Sequence, residues 1–227
     1  MHFVVLFILV LAVIFGPQLW ARRTFAKYSV EQSNMRGTGG ELASHLIDHF
    51  ELADVVVEET EHGDHYDPAA KAVRLSADNF HGKSLTAVAV AAHEVGHAIQ
   101  DKEGNSLLEN RTKWIQFAQI TDKMGSIAIL VMPILTLISK SPAVAGLMIT
   151  IAVGSMLVAT IVHFITLPVE LDASFKKALP ILKEGEYIEP KDEKAVNAIL
   201  KAAAYTYVAA SLASILSLAR WIAVLRR

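Results

Sequence analysis

The sequence lacks cysteine altogether and is poor in charge. Its 227 residues include 0 Cys, which excludes a disulfide framework, a thiolate metal site and a cysteine nucleophile. Charged residues make up 19% and hydrophobic residues 53%, whereas a soluble domain carries about 25% charged residues. Lys and Arg (21) do not outnumber Asp and Glu (23), so we expect no nucleic-acid partner. The composition favours a membrane protein.

Four long runs contain no Asp, Glu, Lys or Arg. They are residues 1–21, 124–139, 141–169 and 202–219. A helix crosses the hydrocarbon of a bilayer with about 20 apolar residues. Arg22, Arg23 and Lys27 follow the first run, which has no basic residues before it and no clear cleavage site. We therefore predict a retained anchor whose carboxyl end faces the cytoplasm.

The runs divide the chain into five predicted segments. They are an N-terminal transmembrane helix (1–21), a catalytic region (22–123), a transmembrane hairpin (124–169), a second polar segment (170–201) and a C-terminal transmembrane or interfacial helix (202–227). The prediction is a multi-pass protein of the cell membrane, with the lipid bilayer as a partner.

The first polar region combines helical and strand patterns. Residues 55–57 and 72–75 have strand character, and the turn-forming residues 61–68 lie between them. These features predict a short antiparallel β-ribbon. Apolar residues recur at three- and four-residue spacing from residue 84 to about 102, which predicts an amphipathic helix. A second helix is predicted from about residue 41 to residue 50.

The predicted helix 84–102 contains the pattern His-Glu-x-x-His. His93 and His97 are four residues apart, so they lie on one helix face and can bind one Zn²⁺. Glu94 can accept a proton from an attacking water and pass it to a leaving amine. Gly96 is expected to keep side-chain bulk away from the metal. Imidazole also suits Mn, Fe or Co, so the sequence does not prove zinc.

A catalytic zinc site needs a third protein ligand. Glu170 is the first carboxylate after the charge-free run, and a hairpin returns the chain close to its point of departure. Asp172 is the competitor, but two residues on an α-helix differ by about 200° and can hardly both face one metal. We predict Glu170 as the third ligand, which leaves Asp172 for a hydrogen bond to a ligand histidine.

Two further residues are candidates for stabilising an oxyanion. His65 and Tyr66 lie in the segment before the strand 72–75, and either could donate to the oxyanion of a scissile carbonyl. The alternative is a structural turn fixed by Asp67 and Pro68. The strand 73–76 could pair with an extended substrate or serve as a plain core strand.

Three sequence blocks resemble one family. Ala91–Gln100, Asp64–Pro68 with Val73–Ser76, and Leu167–Ser174 resemble the YugP-like neutral zinc metallopeptidases of bacterial membranes, in the order that the family has them. The layout is more distantly similar to the HtpX and CAAX-prenyl-type membrane proteases. The resemblance implies a gluzincin: a mostly α polytopic membrane protein with a small zincin-like α+β catalytic part. It supports Glu170 as a ligand.

The expected function is zinc-dependent hydrolysis of peptide bonds in membrane-proximal or membrane-protein substrates. One Zn²⁺ per chain is held by His93, His97 and Glu170, and the site faces the cytoplasm. The alternative is a non-enzymatic membrane protein with a structural metal site. That site would need four ligands, and His65 is the obvious fourth candidate. A membrane scaffold without metal is a third possibility.

Overall fold

The computed structural model describes residues 2–205, which are mostly helical and include one small sheet. The elements are α1 (His2–Tyr28), α2 (Gly39–His49), β1 (Val56–Glu59), β2 (His65–Asp67), β3 (Ala72–Leu75), α3 (Ala77–Phe80), α4 (Leu85–Lys102), α5 (Ser106–Ser139), α6 (Pro142–Leu171), a π-helix (Asp172–Ala178), α7 (Leu179–Glu184), a 3₁₀ turn (Pro190–Asp192) and α8 (from residue 193). Most of the predicted C-terminal helix lies outside the described residues.

The described residues form two compact units. The first contains residues 2–16 and 110–167, including most of α5 and α6, and is called the hairpin unit here. The second contains residues 17–109 and 168–205, including the sheet and α4, and is called the sheet unit. The boundary on α6 falls between Leu167 and Pro168. Glu170 therefore belongs to the same unit as α4.

Helix α4 is the central element of the sheet unit. Ser84 caps it by accepting a hydrogen bond from the Ala87 N–H. All of its residues from Leu85 to Gln100 except Val90 are buried. It packs on α2, which starts with a capping box between Thr38 and Glu41. The structure places both predicted helices within two residues of their expected bounds.

The predicted antiparallel ribbon is wrong in its pairing. The sheet has three strands in the order β1-β3-β2, with β1 parallel and β2 antiparallel to β3. The segment interpreted as a turn contains β2, so the chain crosses the sheet and returns before β3 begins. Because β3 has a partner on both sides, it has no free edge for a substrate. It is a core strand, with Ala72, Val73 and Leu75 fully buried.

Two helices of the described chain are long and apolar enough to cross a membrane. They are Lys113–Ser139, with mean hydropathy 1.5, and Pro142–Glu184, with mean hydropathy 2.2. Only 11% and 17% of their most apolar windows is buried within the protein, whereas a core helix of a soluble domain is mostly buried. The exposed apolar faces fit contact with lipid, as the predicted hairpin requires.

Candidate metal centre

His93, His97 and Glu170 converge at one buried point of the sheet unit. His93 Nε2 lies 3.3 Å from Glu170 Oε2, and His97 Nε2 lies 3.5 Å from the same oxygen. One ligand atom from each residue lies within 4.8 Å of the others. All three side chains are buried, and Glu170 is only 1% exposed. The structure thus brings together the three residues predicted as ligands.

The two distances from the histidines to the Glu170 oxygen fit a tetrahedral zinc site. Ligand atoms about 2.0–2.1 Å from zinc at tetrahedral angles lie about 3.3–3.4 Å from one another. The two distances to Glu170 Oε2 are 3.3 and 3.5 Å. A charge-assisted hydrogen bond would be shorter, at about 2.7–2.9 Å. Two imidazole nitrogens and a carboxylate oxygen are also the ligand types that catalytic zinc uses.

The close approach of two helices builds this geometry. A Cβ placed on Gly96 would lie 3.0 Å from the Ala173 carbonyl oxygen and 3.3 Å from Lys177 Cβ. Glycine at this position therefore lets α4 approach the π-helix, which follows the glutamate ligand directly. The expectation that Gly96 clears space around the metal is corrected, because its open side faces backbone of the π-helix.

The π-helix turns two polar side chains, Asp172 and Ser174, toward α4. Its wider winding is marked by a hydrogen bond from the Leu179 N–H to the Ser174 carbonyl, five residues back. Ser174 Oγ lies 3.1 Å from His93 Nδ1, and Asp172 Oδ2 accepts a hydrogen bond from Gln100 Nε2 at 2.7 Å. Glu170 and Asp172 therefore both contact α4, but different residues of it. Asp172 acts on His97 through Gln100, not directly as predicted.

Gln100 fixes the tautomer of one candidate ligand histidine. Its Nε2 donates to the Val169 carbonyl at 3.0 Å, and because a carbonyl only accepts, the amide orientation is determined. Its Oε1 then faces His97 Nδ1 at 2.9 Å, so Nδ1 carries the proton. In the neutral ring that binds a metal, Nε2 of His97 is then the acceptor, and it faces a carboxylate oxygen of Glu170. Two acceptors that face each other in a buried site fit a shared cation.

Sequence reasoning missed Gln100 and Ser174 as partners of the ligands. Gln100 follows His97 by three residues, so helical periodicity places it on the same side of α4, and this spacing was a usable signal. Ser174 carried no such signal, because its contact with His93 spans 81 residues. The candidate base Glu94 lies beside the first ligand on α4 and is 7% exposed.

The two predicted oxyanion donors make other contacts. Tyr66 is buried and donates its hydroxyl proton to Asp101 Oδ2 at 2.5 Å. Burial and the hydrogen bond to Asp101 raise the pKa of Tyr66 well above its ordinary value. The Nδ1 of His65 lies 2.8 Å from the Gly63 carbonyl oxygen. Because neighbouring residues of a strand point to opposite faces, His65 and Tyr66 do not share one environment.

Comparison with known proteins agrees with this geometry. Residues 3–226 match the family described as "Putative neutral zinc metallopeptidase", and the chain belongs to that family. It is 37% identical over 228 residues to "Putative membrane protease YugP" of Bacillus subtilis (strain 168), covering 99% of this chain and 96% of that protein. No solved structure matches the chain significantly.

Proposed function

We propose that this protein is a membrane-embedded gluzincin-type endopeptidase that holds one zinc ion with His93, His97 and Glu170. The observation that carries the proposal is the convergence of these three buried ligands next to Glu94. Family membership supports zinc as the metal. The alternative structural metal site needs four ligands, and the described part of the chain brings three together. Three ligands leave room for water and substrate.

The chemistry divides between the metal and the chain. When bound, zinc supplies a Lewis acid that polarises the scissile carbonyl and makes water more acidic. Glu94 takes the proton of the attacking water and then donates it to the leaving amine, as general base and general acid. The bonds of Ser174 and Gln100 to the Nδ1 atoms keep both ligand rings in place. The role of His65 and Tyr66 as oxyanion donors remains a prediction. Tyr66 would have to give up its hydrogen bond to Asp101 in order to donate to the oxyanion.

The substrate class follows from the position of Glu170 on its helix. The charge-free run of residues 141–169 ends one residue before this ligand. The same continuous helix, Pro142–Glu184, is a candidate membrane span. A ligand at the end of a span supports peptide bonds close to the membrane as substrates. Arg22, Arg23 and Lys27 support a multi-pass arrangement with the site on the cytoplasmic side.

Metal content and peptide cleavage test the proposal together. Elemental mass spectrometry of the detergent-purified wild type should give about one zinc per chain. Glu170→Ala should lose the zinc, whereas His62→Ala, which changes an exposed loop histidine, should keep it. Glu94→Gln should keep zinc and lose cleavage of a membrane-protein substrate.

Three outcomes would contradict this proposal. Equal zinc in wild type and Glu170→Ala would remove Glu170 from the site. Cleavage by Glu94→Gln at the wild-type rate would remove the assigned base. A metal-free wild type that added zinc does not load would exclude the metal centre.

A further inference from the structure

Gln100 is a fully buried amide whose contacts reach beyond the ring of His97 that it holds. Its exposed fraction is 0%, and it lies on α4 three residues after His97. A buried amide is retained at low energetic cost only when its polar atoms are hydrogen-bonded. Oε1 accepts from His97 Nδ1, and the two N–H groups donate to the Val169 carbonyl and to Asp172. Both ends of the amide are engaged.

The partners of Gln100 lie on both sides of the metal centre. His97 is a ligand on α4, whereas Val169 immediately precedes the ligand Glu170 on α6. Asp172 follows Glu170 by two residues in the π-helix. One side chain therefore bridges the helix that supplies two ligands and the segment that supplies the third. Its bonds span 69 and 72 residues of sequence.

Asp172 binds the amide nitrogen of Gln100 from the more exposed side. Its side chain is 21% exposed, and its second oxygen, Oδ1, lies 3.2 Å from Lys176 Nζ. The bond from Gln100 to a carboxylate is of the stronger, charge-assisted kind. It keeps the amide nitrogen turned away from His97. The amide oxygen is thereby held toward His97 Nδ1.

We propose that Gln100, oriented by Asp172, is the positioning residue that prepares the metal centre before the metal binds. It sets the tautomer of His97 so that Nε2 has a free lone pair, and it ties this histidine to the backbone beside Glu170. The inference rests on the proposed function, because the prepared site is the proposed zinc site. Partners of this kind contribute about 10- to 100-fold to metal affinity in other metal centres.

Zinc affinity of the full-length protein in detergent tests the inference. Apo-protein is titrated with zinc against a chromophoric chelator, and the absorption spectrum of the Co²⁺ form is recorded. We expect Gln100→Leu to weaken zinc binding by about 10- to 100-fold and to alter the Co²⁺ spectrum. Asp172→Ala should weaken binding as well. Asp172→Asn, which keeps an oxygen acceptor for Gln100, should recover much of the affinity.

A matched control separates positioning from folding. Thr86→Val removes another buried hydrogen bond of α4, the one to the Phe25 carbonyl, and should leave zinc affinity and the Co²⁺ spectrum unchanged. If Gln100→Leu does not fold, the two Asp172 variants decide. Wild-type zinc affinity in Gln100→Leu, or in Asp172→Ala, would overturn the inference while the zinc site stands. A wild type that binds no zinc would overturn the proposed function and this inference together.

Discussion

The sheet unit and the hairpin unit each place a glycine where two helices approach closely, with different consequences. In the sheet unit, Gly96 faces the Ala173 carbonyl, and the approach brings two histidines and a glutamate together. In the hairpin unit, Gly125 of α5 faces Ser155 of α6. Apolar side chains on these helices are widely exposed, for example Leu130 at 75% and Leu137 at 77%.

The difference fits the proposed position of the hairpin unit in lipid. In lipid there is no hydrophobic drive between helices, so small residues gain contact by letting backbones approach. In the sheet unit, apolar burial already packs α4, and the small residue instead permits polar contacts around the metal centre. A glycine at a close helix contact therefore contributes to packing in the hairpin unit and to the geometry of the candidate metal centre in the sheet unit.

Gly125→Ala should produce the largest of the three effects, a loss of folding stability. The new Cβ would lie 2.1 Å from Ser155 Oγ and 2.9 Å from Ser155 Cβ, so the helices must separate. We expect a loss of about 1–3 kcal/mol of stability, as for overpacked cores. Thermal unfolding of the detergent-purified protein measures it, and adding Ser155→Gly should restore stability. Gly154→Ala, which meets nothing within 4 Å, is the control. Loss of zinc in Gly125→Ala would contradict the separate roles assigned to Gly125 and Gly96.

Gly96→Ala should act mainly on the metal centre. Its Cβ would lie 3.0 Å from the Ala173 carbonyl, a milder conflict that a shift of a few tenths of an ångström relieves. Such a shift moves the π-helix and with it Glu170 and Ser174, so zinc affinity should fall more clearly than the unfolding temperature. Chelator competition and thermal unfolding of the same sample check this. Unchanged zinc affinity would show that Gly96 serves packing alone.

Lowering the pH should produce the smallest of the three effects, a loss of stability through protonation of Asp67 in the sheet unit. The N–H of Ala70 lowers the pKa of Asp67 most, burial opposes this, and Arg74 lowers it further. A folded-state pKa below the unfolded value stabilises the protein above the unfolded value, about 3.9. This contribution is lost as the pH falls through the folded value. The unfolding temperatures of wild type and Asp67→Asn should therefore differ at pH 7 and converge in acid. A difference that persists in acid would contradict the assignment.

Local pattern was enough for much of the sheet unit. The amphipathic spacing located α4, and the strand character of residues 72–75 located β3 at Ala72–Leu75. The pairing of His93 and His97 as candidate ligands follows from helical periodicity alone. Glu170, the candidate third ligand, was reached because a charge-free hairpin has to return its chain. These features depend on residues a few positions apart or on hydrophobicity over a long run.

Other features escaped local reasoning. β2 was taken for a turn because its three residues His65–Asp67 follow a stretch rich in turn formers. Gly96 was expected to keep side-chain bulk away from the metal, although its open side faces Ala173. Asp172 was paired with a histidine, whereas the structure inserts Gln100 between them. Each error concerns a partner that lies far away in sequence or a short strand without its own signal.

The sequence by itself determined the types of the candidate ligands, their helical spacing and the apolar hairpin, because side-chain chemistry and helical periodicity are properties of neighbouring residues. Only the tertiary structure decided the mixed sheet, the π-helix and the hydrogen bonds that join Gln100 and Ser174 to the two histidines. Those contacts exist because α4 packs closely on the segment after α6, with a glycine, Gly96, at the point of contact. That packing depends on the whole sheet unit rather than on any one run of residues.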